Sequence, residues 1–375
     1  MDDRHGSERL LATFLEAVRI DSPSGEEAAF GAWCAERLKG LGATARFDDS
    51  SRATGSDTGN LIAEVPGDRE GAVLVLSAHL DTVEPGRGIA PAVDGGVVRS
   101  SGGTVLGADD KAGVAAILEA LARVAEQARP HAPLRVVLTV QEEKGLVGAK
   151  ALADADIRGD LCLVLDAHGP VGRIIISAPT HHTFTATFEG VSAHAGVEPE
   201  RGISAVAMAA SAVCAMRLGR LDEETTANVG EVRGGGETNV VAASCLLTGE
   251  CRSRDPEQAE RIRLEMDEEM RLAARSAGGS VRIDWVKQYD GYRLAPDDER
   301  VALVERACAV AGVEPSLVVT GGGSDGSVLT ARGLPSVVLS CGMTDVHSTQ
   351  ESVAVTDLDA MVRVLLAAID LAVSS

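Results

Sequence analysis

Aromatic residues are scarce in this chain: two Trp, two Tyr and five Phe among 375 residues, so Val, Ala and Leu must pack whatever core it has. Basic charge is short as well. Against 56 Asp and Glu stand 35 Lys and Arg, a formal net charge of -21, and no Lys/Arg cluster offers a local exception. Such a surface repels phosphate backbones, which excludes nucleic acid as an expected partner. Long hydrophobic runs are also missing: stretches such as "AVLVL" fall far below the roughly 20 residues of a membrane span, and "MDDRHGSERL" holds no apolar signal core. No membrane role and a soluble, cytoplasmic protein are the expectation. The seven cysteines form no C-x-x-C pair, their number is odd, and several lie in apolar runs such as "DLCLVLD". They are expected to be buried free thiols in a reducing compartment. Neither an internal repeat nor a low-complexity tract is present.

What is there is a chain 45% hydrophobic and long enough for two domains. From residue 7 to about 178, near-continuous apolar runs ("GAVLVLSAHL", "PLRVVLTVQEE", "DLCLVLDAHG") alternate with helical stretches such as "DKAGVAAILEALARVAEQA". That texture predicts an α/β domain with a central, mostly parallel sheet flanked by helices. "SPSGEE" carries a capping box from Ser24 to Glu27 ahead of the second helix. Residues from about 180 to 290 differ. Strand-like "HTFTATFEGV", helical "GISAVAMAASAVCAMRLG", two strand-like runs, the amphipathic "DPEQAERIRLEMDEEMRLAARSAGG" and "SVRIDWVKQYD" follow in βαββαβ order. This is the order of a small ferredoxin-like α+β domain. Beyond it the first texture returns. The expected organisation is residues 1–179 and 291–375 as one catalytic domain, with 180–290 inserted.

Chemistry-bearing residues gather at the ends of the first domain's apolar runs. His79 and Asp81 follow "AVLVLSA", Asp109 and Asp110 precede a helix, Glu142 and Glu143 follow "LRVVLTV", Asp166 follows "CLVL", and His347 follows "PSVVLSC". In an open α/β sheet, ligands bind at the carboxyl ends of the strands, so these groups can converge. Two His and several carboxylates suit Zn²⁺ or a related divalent ion, and carboxylate bridging suits a pair. Each residue also has a bland reading, such as Asp109 and Asp110 capping a helix, or Glu142 and Glu143 forming a solvated turn. Jointly they are harder to dismiss, because like charges at buried strand ends cost several kcal/mol unless cations neutralise them.

"SAHLDTV", "GADDKAG", "QEEKGLVGAK", "LDAHGPVG", "VSAHAGVEPERGISA", "GGGSDGSVL" and "VHSTQES" stand in the order of a known motif set. Together they resemble the co-catalytic dizinc peptidases that include peptidase T, carboxypeptidase G and the aminoacylases, most closely the peptidase T-like branch. The resemblance implies that the inserted domain is a lid that also dimerises, giving a homodimer. It implies that His79 and Asp166 hold one metal ion, that Glu143 and His347 hold the other, and that Asp109 bridges both. The bond from Asp109 to Asp110 would be cis, leaving Asp110 a geometric role. Asp81 would accept the second ring N–H of His79. Glu142 would be the general base for a metal-activated water. The ions would be Zn²⁺ first, with Mn²⁺ and Co²⁺ also suited.

In the inserted domain, the resemblance assigns His194 to the oxyanion of the tetrahedral intermediate, within its own subunit or across a dimer. Asn239 and Arg252 would contact the substrate's carboxylate or backbone, although both could equally pack the lid. "GGGSDG" lacks the lysine of a phosphate loop, so its glycines are expected to let backbone approach the substrate. His5 and His131 have bland readings, His181 and His182 should point to opposite faces of a strand, and His168 departs from the peptidase T pattern near Asp166. The implied activity is dinuclear metal-dependent hydrolysis of an amide, foremost release of an N-terminal residue from a short peptide. Within the same chemistry the alternative is an N-acyl amino acid amidohydrolase or carboxypeptidase; from another class, it is a catalytically silent metal-dependent binding or dimerisation protein.

Overall fold

The computed structural model describes residues 3–373. Two compact units divide the chain: residues 1–176, 294–319 and 324–375 form the first, and residues 177–293 with 320–323 the second.

The first unit is built on a sheet whose central strands are Leu134–Thr139, Leu74–His79, Leu161–Ala167 and Ser336–Ser340, each parallel to its neighbour. All six residues of Leu74–His79 are buried, which the unbroken apolar run demands of a strand covered on both faces. Helices Ala108–Glu126 and Val355–Ala372 each bury most of their length. The sheet is mixed, however, where a mostly parallel one was expected. Leu61–Val65 runs antiparallel to Leu134–Thr139, Thr44–Phe47 antiparallel to Leu61–Val65, and Arg173–Ala178 antiparallel to Ser336–Ser340. The difference has a physical cause: margin strands such as Thr44–Phe47 are short and largely exposed, and antiparallel pairing tolerates a wet face. A second, small antiparallel sheet joins Pro91–Asp94, Val97–Ser100, Ser352–Ala354 and Met343–Thr344. Its strands are two to four residues long, too short for a sequence period to show.

The capping box does not form. Helix Ala28–Gly40 begins after Glu27 with no side-chain cap. The Ser24 hydroxyl donates to Asp81 instead, and the buried Glu27 carboxylate accepts from Gly25 in its own loop and from Gln141 far along the chain. Tertiary partners at strand ends outcompete the local cap.

In the second unit every sheet pairing is antiparallel, in the order Gly219–Arg220, Thr225–Gly234, Ser244–Ser253, Thr180–Glu189, Ser280–Tyr289. Helices Ala205–Ala215 and Pro256–Ala277 cover one face, where Phe184, Phe188, Met208, Leu247, Ile262 and Met266 form the core. Asp255 caps the longer helix by accepting from Glu257 and Gln258, and Gly278 ends it at φ +76°. The arrangement is the expected βαββαβ fold. No helix among the described residues is long and apolar enough to cross a membrane.

Candidate metal centre

The parallel strands end on one side of the first unit's sheet, and their ends carry the site. His79 is the last residue of Leu74–His79, Asp166 the last but one of Leu161–Ala167, and Glu142 and Glu143 follow Leu134–Thr139 by a short turn. Asp109 stands at the start of helix Ala108–Glu126, and His347 in the loop between Met343–Thr344 and Ser352–Ala354.

Asp109 lies between the two histidines. Its Oδ1 is 3.1 Å from His79 Nε2 and its Oδ2 is 3.3 Å from His347 Nε2. Asp166 Oδ1 lies 3.5 Å from His79 Nε2, and Glu143 Oε1 lies 2.8 Å from His347 Nε2. Two groups of potential ligand atoms result, His79–Asp109–Asp166 and Asp109–Glu143–His347, each within 4.8 Å of one another. Glu142 joins His79 and Glu143 in a third such group. The five expected ligands and the expected base are thus brought together.

The charges fit divalent cations. Burial pushes the Asp166 carboxyl up to about 7 and Glu142 well above the carboxylate range. Burial also works to raise Asp109, but hydrogen bonds with His347 and His79 outweigh it and hold Asp109 below its ordinary value. Burial works to lower His79, but Asp109, Asp166 and Asp81 lift it well above its ordinary value, and hydrogen bonds with Asp109 and Glu143 raise His347 to about 10. Imidazole protons here do the neutralising that cations do better: two imidazoles and three carboxylates, with one shared, form a donor set for two divalent ions.

The Asp109–Asp110 peptide bond is cis. The Asp110 carboxylate accepts from the backbone N–H of His79 and of Gly113, both at 3.2 Å, so it serves geometry. Asp81 differs from expectation in detail. The nearest acceptor for His79 Nδ1 is the backbone carbonyl of Asp81 at 2.9 Å, with the Asp81 carboxylate at 3.4 Å. That carboxylate also accepts from the Ser24 hydroxyl at 2.6 Å, from Glu142 N–H at 2.9 Å and from Glu143 N–H at 3.2 Å.

Three buried acids around the site escaped sequence reasoning. Glu351 accepts from the N–H groups of Gly107 and Asp109 at 2.8 and 2.9 Å, holding the backbone of the acid that lies between the two histidines. Asp325 takes the hydroxyl of Thr139, and burial pushes it up to about 6. Glu27 is the third. Glu351 stands four residues past His347 in the motif "VHSTQES", and Asp325 lies in "GGGSDG", a stretch whose pattern is dominated by its glycines. At Gly323 the requirement is steric: an added Cβ would lie 2.3 Å from the Tyr289 ring.

His194, Asn239 and Arg252 belong to the second unit. His194 is exposed and bridges to Val240, and its Nδ1 accepts from Gly196 N–H, leaving Nε2 to carry the ring hydrogen. Asn239 is exposed, and its carbonyl accepts from Ala195. Arg252 forks onto Glu250 at 2.9 and 3.1 Å and reaches the Tyr289 hydroxyl at 3.4 Å. His181 pairs with Glu250 at 2.8 Å, whereas His182 lies on the opposite face near Glu260 and Arg263.

Residues 75–371 match the model of peptidase family M20/M25/M40, and the chain belongs to that family. It is a metal-dependent peptidase of the peptidase T-like branch. Protein YqjE of Bacillus subtilis (strain 168) is 39% identical over 362 residues, covering 96% of this chain and 98% of the relative. Among solved structures, aminopeptidase PepT from Bacillus cereus ATCC 10987 superposes with a TM-score of 0.92 at 38% identity, covering 98% of this chain and 99% of its own. A tripeptidase from Staphylococcus aureus subsp. aureus mu50 does so with a TM-score of 0.95 at 35% identity, with the same coverage.

Proposed function

We propose that this chain releases the N-terminal residue from short free peptides, with Glu142 as general base. The observation that carries the reading is the pair of ligand groups sharing Asp109, with the buried Glu142 carboxylate beside them. His79 and Asp166 would hold one ion and Glu143 and His347 the other, Zn²⁺ being the first expectation. Bound ions would polarise the scissile carbonyl and acidify a water molecule. Glu142 takes the proton of the attacking water and passes it to the leaving amine; burial, which favours its protonated form, suits the second half of that task. His194 donates from Nε2 to the developing oxyanion, while Asn239 and Arg252 bind the substrate's backbone or carboxylate. The names of the two solved relatives, an aminopeptidase and a tripeptidase, support a free amino end and a short chain.

The second unit serves as lid and dimer contact in this reading. Its supports are the exposed face of Val206, Ala207 and Ala210 on helix Ala205–Ala215 and the exposed outer half of Thr225–Gly234, where Val232 is 54% exposed. Light scattering should give twice the chain mass. All seven cysteines are free and six are buried, which suits a reducing cytoplasm. The test is a hydrolysis panel of the metal-loaded protein: free di- and tripeptides, N-blocked peptides and N-acyl amino acids. Cleavage of free tripeptides from the amino end is expected. Preference for N-acyl amino acids would make it an amidohydrolase, and no cleavage of any member would leave a binding protein.

A further inference from the structure

Glu27 is fully buried, outside both ligand groups. Its Oε1 accepts the N–H of Gly25 at 2.8 Å and of Gln141 at 3.1 Å, and its Oε2 takes the Ser56 hydroxyl. Asp81 accepts the next two N–H groups, those of Glu142 and Glu143. Three successive amides of the turn that carries the base and a ligand thus end on two buried carboxylates.

That turn has an unusual backbone. Gln141 stands at φ +49°, the left-handed region that a residue with a Cβ disfavours. Past it the Glu142 carbonyl accepts from Gly145 and Leu146, closing the turn. Adjacent side chains on extended backbone point to opposite faces. Here the carboxylates of Glu142 and Glu143 both come within 4.8 Å of a His79 ring nitrogen. The left-handed step at Gln141 turns the chain off the strand direction just ahead of both residues and so aims the pair, and the hydrogen bond from its N–H to the Glu27 carboxylate holds that step.

We propose that Glu27 is a positioning residue for the hydrolytic reaction: it holds Gln141 in the left-handed turn that aims Glu142 and Glu143 into the same site. The proposal rests on the hydrolase reading for its effect on turnover, but its effect on metal binding stands without it. Asp81 lies two residues from His79 in the chain, whereas Glu27 is more than fifty residues away and meets the turn at the backbone of Gln141.

The experiment compares wild type with Glu27→Ala, Glu27→Gln and Glu27→Ala/Gln141→Gly. Chelator-stripped protein is titrated calorimetrically with Zn²⁺, and tripeptide hydrolysis is then measured with metal saturating. In Glu27→Ala one binding step should weaken about tenfold, the step to which Glu143 contributes, with the other unchanged. Turnover should fall about a hundredfold with KM within about threefold, the size of loss that a misplaced catalytic group brings. Glu27→Gln keeps an oxygen facing Gln141 and should stay within about threefold of wild type in both readouts. Glycine takes a left-handed φ freely, so the double variant should recover about tenfold in turnover and most of the lost affinity. If Glu27→Ala does not fold, Glu27→Asp withdraws the carboxylate by one methylene and should lose about tenfold in turnover, again recovered by Gln141→Gly. Equal weakening of both binding steps, no recovery by Gln141→Gly, or unchanged metal binding in Glu27→Ala each overturns the proposal. A wild type that cleaves no peptide overturns the hydrolase reading instead, and the Zn²⁺ titration still decides on Glu27.

Discussion

His79 and His347 stand on either side of Asp109, each offering Nε2 to one of its oxygens, yet their surroundings differ. The His79 side chain is 2% exposed, at the end of a strand buried on both faces, and its carboxylate partners are 13% and 9% exposed. His347 is 51% exposed, in a loop where its own φ is +61°. One half of the centre is therefore fixed by the same packing that makes the sheet, and the other is hung on a turn at the surface. Altering the buried half should disturb fold and function together. Altering the open half should disturb metal binding more than the fold.

The largest contrast should come from His79→Ala. Its removal leaves Asp109 and Asp166 buried without their shared partner, so metal content per chain should fall and hydrolysis should drop by about three orders of magnitude. Unchanged stoichiometry in elemental analysis would remove His79 from the centre.

Next in size is the pH dependence of the chelated protein. Burial lifts Asp166 from 3.8 to about 7, so the folded state keeps a proton that the unfolded chain has released, and stability is lost as pH rises between those values. His347, raised from 6.5 to about 10, contributes stability in full below 6.5 and loses it as pH rises towards 10. Both shifts point the same way. Metal-free protein should melt at a lower temperature at pH 8 than at pH 5, and added Zn²⁺ should abolish the difference. A chelated protein that melts higher at pH 8 contradicts the burial of uncompensated acids.

His347→Ala should act more gently on the fold. Metal content should fall by one ion per chain, while the chelated variant should lose less stability in urea unfolding than chelated His79→Ala, because solvent screens the half-exposed imidazole. Loss comparable to that of His79→Ala would erase the contrast between the halves. The smallest effect belongs to the second unit: His194→Ala should lower kcat about tenfold with metal content unchanged, the loss of a single oxyanion donor. An unaltered rate would return His194 to the role of a loop residue.

Sequence legibility followed burial. Continuous apolar runs made the central strands readable, and the polar residues just past them, His79, Glu142, Glu143 and Asp166, could be placed at the strand ends. The βαββαβ order was equally readable, because helical and strand periods alternate clearly there. The acids that hold backbone rather than metal were not. Glu27 looked like half of a helix cap and Asp81 like the partner of a ring nitrogen, because local patterns say nothing of N–H groups arriving from loops more than sixty residues away. The small antiparallel sheet escaped for want of length, and the antiparallel margins because a strand such as Thr44–Phe47 is too short to show the alternation that marks one wet face.

Glu142→Gln tests the central claim most directly, with metal content and tripeptide hydrolysis measured on the same samples. The substitution keeps the side chain's size and every ligand. Two ions per chain with hydrolysis slowed about a thousandfold is the expected result. A variant that holds its metal and hydrolyses as fast as wild type would contradict the account.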